Sequence, residues 1–249
     1  LAQALVLGIV MASAVAIGLR EAQHRRSQQQ LLEARNRDLE IQVQERTAAL
    51  ETAHRRLQEE VTLASRIQRD LLLSERELQH LTPGLDAGAL MVPSKEVGGD
   101  LYDCIALGRD RFLLCIGDVA GKGMPAALLM STCLSLLRSY AEVLDSPAAI
   151  MRRLNRRLCH NNEDCAFTTL LVATLELRSG ELRWCNGGHT PLLLLRSNAA
   201  PELQRTVHGP ALGVVDGCDY GESRTHLRQG DALLLYLSLI HISEPTRPY

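Results

Sequence analysis

Hydrophobic positions change period several times along the chain, and each change predicts a different element. Leu1 to Leu19 carry no charged side chain, and nineteen residues at ~1.5 Å each cover about the ~30 Å hydrocarbon core of a bilayer. Arg20, His24, Arg25 and Arg26 follow at once. That order predicts a transmembrane helix over 1–19 with the rest of the chain on the cytoplasmic side of the inner membrane. A signal peptide would carry its charges ahead of the apolar run, and a buried core helix is the bland alternative. From Glu21 to Leu73 there is neither proline nor glycine, and Val43, Leu50, Leu57, Ala64 and Leu71 recur every seventh position. Leu32, Leu39, Ala53 and Ile67 fall on a companion series that Arg46 and Glu60 interrupt. Steps of three and four predict a coiled coil over 20–73 and a parallel homodimer. The alternative is a solvated single helix held by its opposite charges.

Beyond residue 74 the apolar runs shorten. Arg111–Ile116, Thr168–Leu175, Leu182–Cys185, Leu192–Leu195 and Ala232–Tyr236 read as strands, with Arg178-Ser179-Gly180-Glu181 turning Thr168 to Asn186 into a hairpin. Met124–Tyr140 and Pro147–Cys159 read as helices. Strands broken by paired helices, without strict alternation, disfavour a doubly wound parallel sheet.

Two acidic, glycine-rich segments stand out in this region, Val97-Gly98-Gly99-Asp100 and Gly117-Asp118-Val119-Ala120-Gly121-Lys122-Gly123. The second follows the Phe112–Ile116 run and precedes a helix with Pro125 in its first turn, which predicts Asp118 in a strand-to-helix loop. Carboxylates without thiols or clustered imidazoles suit a hard cation such as Mg²⁺ or Mn²⁺. A phosphate-cradling P-loop fits poorly, since Gly117 and Gly121 are one residue too close and Gly123 stands where Ser or Thr should hold magnesium. An aspartate turn without a ligand is the plain alternative.

From about Ala64 to Tyr236 the chain resembles the SpoIIE/RsbU-like branch of the PPM (type-2C) serine/threonine protein phosphatases. The resemblance rests on Ser65–Leu72, Val97–Asp103, Gly117–Met130, Phe167–Leu170, Asn186–Leu193, Gly209–Val214 and Gly230–Tyr236, in family order. It implies an α+β fold, an α-β-β-α sandwich over 74–236, with two Mn²⁺ or Mg²⁺ ions at one end of the sheets. In that family pattern Asp118 matches the bridging aspartate, the Val119 main-chain carbonyl a neighbouring ligand, and Asp100 the residue completing that half of the site. Asp103 is a candidate to orient water or Asp100, and Lys122 a candidate phosphate contact, with a solvated side chain as the alternative. Relatives with a histidine two residues after the bridging aspartate find Ala120 here; His189, in an Asn-Gly-Gly-His turn, reads as a turn residue more than as a general acid. Trp184 reads as a packing residue.

The implied function is a membrane-anchored metal-dependent serine/threonine phosphatase acting on a phosphorylated regulatory protein, of the STAS-like anti-sigma-factor antagonist kind. Two ions would activate water for in-line attack. Regulation would run through the coiled coil. After Tyr236 the resemblance stops: the family supplies a Thr-Asp-Gly segment and later another aspartate, whereas Ser238 stands at the matching position. Residues 237–249 read as a foreign tail, so little manganese-dependent turnover is expected of this chain, and a catalytically silent partner-binding module is the alternative.

Composition narrows the picture further. A length of 249 residues suits one catalytic domain plus a linker, and a net charge of −2 offers no basic field for nucleic acid. Seven scattered cysteines without C-x-x-C spacing read as reduced thiols, and with 3% aromatics the core must be aliphatic.

Overall fold

With no glycine or proline to break it after Glu21, the N-terminal sequence forms one helix, α1 (Ala2–Leu71). The structure, a computed structural model, describes residues 2–81, 84–91, 97–163, 165–197 and 199–237, with side chains from Gly18 onward except Ala22. The chain divides into two units, 1–60 and 61–249. In the first, polar side chains bridge successive turns, as Gln42 does to Asp38 at 2.8 Å. Leu32, Leu39, Val43, Leu50 and Leu57, the positions expected to form a seam, are exposed on this helix.

The membrane expectation for 1–19, and with it the inner-membrane location, is corrected. Among the described residues no helix is long and apolar enough to cross a membrane. The side chains of 1–17, which carry most of that apolar run, lie outside the described residues, and from Arg20 onward α1 carries charge on nearly every turn. Positions 238–249, including Ser238, likewise lie outside the described residues.

The second unit contains the last turns of α1, then α2 (Glu75–Leu81), β1 (Asp100–Ala106), β2 (Arg111–Val119), α3 (Met124–Ala141) and α4 (Pro147–Cys159). Then follow β3 (Thr168–Glu176), β4 (Glu181–Gly187), β5 (Leu192–Leu195), β6 (Glu202–Gln204), β7 (Ser223–His226) and β8 (Ala232–Leu234). Ser74 and Glu77 start α2 with a capping box, the Ser74 amide donating to the Glu77 carboxylate at 2.8 Å and the Glu77 amide to Ser74 Oγ at 3.3 Å. At α4 the Ala149 amide donates to Ser146 Oγ, 3.3 Å away, and Pro147 opens the helix.

Among the described residues the named strands pair antiparallel; one sheet runs β1-β2-β3-β4-β7 and the other β6-β5-β8. Alternation along the large sheet gives it two apolar faces. Leu101, Leu113, Cys115, Leu170, Val172 and Cys185 pack with Met130, Leu134 and Leu137 of α3 and Ile150, Met151 and Leu154 of α4. Ile116, Leu171, Ala173, Leu182 and Trp184 pack against Leu192 and Leu194 of the small sheet. Each wholly buried Leu or Ile here stabilises the fold by roughly 1.5–3 kcal/mol. This is an α+β fold of helix, sheet and sheet layers. The outer helical layer of the expected four-layer sandwich is not formed over the small sheet among the described residues; α2 instead lies on the large sheet, where Leu78 packs with Cys104 of β1 and Phe112 of β2.

All seven cysteines are free thiols, and Cys104, Cys115, Cys133 and Cys185 are buried. Burial pushes Cys133 and Cys185 up to about 12, so they are inert thiols rather than nucleophiles.

Candidate metal centre

Three neighbouring strands bring one row of side chains to the end of the space between the sheets. Asp100, the first residue of β1, lies directly opposite Asp118 of β2, and Asp118 lies opposite Thr169 of β3. Directly opposed residues in an antiparallel ladder point to the same face, with Cβ atoms about 5 Å apart. The face is the one on which Ile116 and Leu171 meet the small sheet. Asp118 is therefore held in the strand and not, as its glycine neighbours suggest, in the following loop. The ladder continues to Val119 because Gly117 lets β3 approach: a Cβ there would stand 2.6 Å from the Thr169 carbonyl oxygen.

Two carboxylates placed opposite each other repel, and the pair shows it. Partial burial and the charge of Asp100 push Asp118 up to about 6, and burial raises Asp100 too, while the hydrogen bond between them opposes that rise. Repulsion of this kind is what a divalent cation relieves.

The third oxygen is positioned by a close backbone approach. The Val119 amide donates to the Gly99 carbonyl at 3.2 Å, and a Cβ on Gly99 would meet the Val119 carbonyl oxygen at 2.6 Å. Only glycine leaves that carbonyl its space. Two carboxylates and a carbonyl, all hard oxygen donors, fit Mg²⁺ or Mn²⁺. Among the described residues no group of three or more His, Cys, Asp or Glu side chains gathers as a metal cluster.

The loop before Asp100 is held from α1. Gln68 grips the Gly98 peptide at both ends, its amide nitrogen donating to the carbonyl at 2.5 Å and its amide oxygen accepting from the N–H at 3.2 Å. Asp103 lies on the opposite face of β1, away from the acidic pair. Its buried carboxylate accepts from Arg138 Nε of α3 at 2.7 Å and from the Cys104 amide at 2.9 Å. Arg138 also donates to the Leu71 carbonyl at the end of α1, at 2.8 Å. Asp103 thus joins helix and sheet and is not gathered with Asp100. Lys122 is exposed in the loop after β2.

His189 closes an Asx turn in which its amide donates to Asn186 Oδ1 at 2.7 Å and its carbonyl accepts from Asn186 Nδ2 at 3.0 Å. Its ring is buried, and Nδ1 lies 3.0 Å from Thr169 Oγ1. Thr190 Oγ1 donates to the Tyr236 carbonyl, so the segment after β8 passes beside this turn. Trp184 is buried in the core edge-on to His208, their ring centres 6.5 Å apart. Gln68, Thr169 and Arg138 escape sequence reasoning, because an amide, a hydroxyl and a helix-borne arginine acquire their roles only through tertiary placement. The pair Thr168-Thr169 at the head of an otherwise apolar strand is a signal for Thr169.

The family described as Stage II sporulation protein E (SpoIIE) matches residues 108–236, more than half of the chain. The chain belongs to the SpoIIE family of PP2C-type phosphatases. Among curated relatives, this SpoIIE-family chain is 28% identical over 180 residues to "Phosphoserine phosphatase RsbU" of Bacillus subtilis (strain 168), covering 72% of this chain and 52% of the relative. It is 25% identical over 147 residues to "Phosphoserine phosphatase RsbP" of the same organism, covering 57% of this chain and 36% of that one. The chain thus spans about half the length of RsbU and less of RsbP. The crystal structure of the RsbU and RsbW domains of a Mycobacterium tuberculosis protein superimposes with a TM-score of 0.54 at 30% identity, covering 63% of this chain and 43% of that one. The SiaA-PP2C domain of Pseudomonas aeruginosa aligns with a TM-score of 0.63 at 22% identity over 73% and 71% of the two chains, a likeness of fold.

Proposed function

We propose that this chain carries the catalytic region of a metal-dependent protein serine/threonine phosphatase that removes phosphate from a phosphorylated regulatory protein. The observation that carries this reading is the Asp100–Asp118 pair, opposed across adjacent strands beside the Val119 carbonyl. Asp100, Asp118 and Val119 would hold the cation, and a bound Mg²⁺ or Mn²⁺ supplies Lewis acidity and a water of lowered pKa. The family pattern calls for two such ions. Gly99 and Gly117 keep the backbone close enough to aim the oxygens, and Gln68 fixes the loop that delivers Asp100. Lys122, exposed in the loop that follows β2, would be available to a phosphoryl oxygen. No side-chain nucleophile is required, and the buried, high-pKa thiols offer none.

Substrate and partner are inferred from relatives: the curated proteins named phosphoserine phosphatase, and a solved chain that joins an RsbU domain to an RsbW domain. Both favour partner-switching signalling, with an anti-sigma-factor antagonist of the STAS-like kind as the phosphoprotein. The heptad positions of α1, exposed on a single chain, support a parallel homodimer whose coiled coil carries the regulatory signal over 20–73.

The test is manganese calorimetry together with phosphate release from a phosphoserine protein. Uptake by the wild-type chain and its loss in Asp118→Asn are expected, with slow turnover. Equal uptake in the variant would sink the assignment. A second reading, a partner-binding module without turnover, draws on the small donor set among the described residues. Tight binding of the phosphoprotein with no phosphate release would favour it.

A further inference from the structure

His189 has an arrangement that its turn does not demand. The Asx turn uses only its backbone and Asn186. The ring is nevertheless buried, with Nε2 lacking any properly formed hydrogen bond, a cost that most folds avoid. Nδ1, by contrast, meets Thr169 Oγ1 at 3.0 Å. Thr169 occupies the third place in the row Asp100, Asp118, Thr169, and its hydroxyl also comes within 3.4 Å of the Asp118 carbonyl oxygen. Thr168 Oγ1 donates to that same carbonyl at 3.1 Å.

The geometry points to Thr169 and His189 as a positioning pair for the metal centre, in which the His189 ring sets the direction of the Thr169 hydroxyl and that hydroxyl orients Asp118. This rests on the metal reading proposed above and adds two residues to it. The physical case is one of tautomers. With its proton on Nδ1 the imidazole donates to Thr169 Oγ1 and leaves the hydroxyl proton for the Asp118 main-chain carbonyl, while Nε2 is the atom without a partner. The hydroxyl proton is then directed at the Asp118 main-chain carbonyl, which ties the backbone that carries this carboxylate to β3. Burial holds the ring neutral at pH 7, so one of its nitrogens donates and the other does not. Outer partners of this kind typically alter metal affinity about 10–100-fold when removed.

The experiment compares Thr169→Val, Thr169→Ser and His189→Phe in the full chain. Mg²⁺ affinity is read by calorimetry, folding by thermal melting, and the ring by ¹⁵N NMR of labelled histidine. Thr169→Val is expected to lower Mg²⁺ affinity roughly 10-fold with an unchanged melting temperature, while Thr169→Ser restores it. His189→Phe is expected to lower affinity likewise, although it removes an unpartnered polar atom that a purely structural role would be better without. In the wild type, Mg²⁺ should move the His189 Nδ1 resonance, and Thr169→Val should abolish that response. Wild-type affinity in Thr169→Val overturns the proposal while leaving the metal site intact. If the valine variant does not fold, a His189 signal indifferent to Mg²⁺ in the wild type overturns it equally. A wild-type chain that binds no Mg²⁺ overturns the metal reading and this pair with it.

Discussion

Gly99 has no room for a methyl group, and that sets how the Val119 carbonyl, one of the proposed metal ligands, is aimed. In Gly99→Ala the new Cβ would stand 2.6 Å from the Val119 carbonyl oxygen and 2.9 Å from its side chain, so β1 or the end of β2 must shift. Overpacking at such a site costs about 1–3 kcal/mol, to be seen by urea unfolding, and calorimetric Mn²⁺ uptake should fall with it. His189 adds a pH dependence. Burial lowers it from an ordinary value of 6.5 to about 4, so the unfolded chain binds the extra proton first on acidification. Stability from this group is complete above about pH 6.5, falls between there and pH 4, and levels off below, a loss of about 3 kcal/mol. Unfolding free energies at pH 7 and 4.5 should therefore differ less in His189→Phe than in the wild type. An equal difference would mean that the ring is not buried neutral.

At the level of elements, Arg138 ties three together. Its guanidinium meets Asp103 of β1 and the last carbonyl region of α1 from its own place on α3. Asp103 is buried, so Arg138→Leu strands a carboxylate without its counter-charge; a loss of about 3 kcal/mol is expected in chemical denaturation. The elements that sequence alone discloses are those with long apolar runs: α4 and β5 begin and end where their patterns do, and α3, β3 and β4 differ by a residue or two. β2 runs three residues past its predicted end, β8 stops two residues short of its own, and the long helix before residue 73 is likewise legible; the other elements were hidden for identifiable reasons. β1, reading Asp-Leu-Tyr-Asp-Cys-Ile-Ala, interrupts its Leu101 and Ile105 face with the Asp103–Arg138 ion pair, so its alternation does not register as apolar. α2, β6 and β7 are short and charged, and become ordered through neighbours more than through their own composition. The Asp100–Asp118 pair was legible as two acidic segments, but its meeting was not. Register is a tertiary quantity, and the glycines that suggest loops serve close strand approach instead. Asp231 shows the converse: it stands in a stretch resembling the family, yet it binds Arg196 Nη1 at 2.9 Å and the Ser197 and Arg228 amides, as an anchor of the small sheet.

On the scale of the whole molecule, association is the open quantity. Leu50 and Leu57 lie exposed on a helix of 70 residues, and a partner helix would cover them. Light scattering should give a dimer for the wild type, and Leu50→Glu with Leu57→Glu should shift it toward monomer; an unchanged mass would leave α1 as a solvated single helix. One last feature concerns kinetics. β1 is one of the two outer strands of the five, bonded along only one side among the described residues, and it contributes the first of the two acidic side chains. Outer strands peel before inner ones. The ion would accordingly act as a fastener at the sheet margin: amide exchange in 100–106 should slow when Mg²⁺ is added, while the interior strand β3 keeps its rate, and any upstream event that loosens this margin would release ion and catalysis in one step.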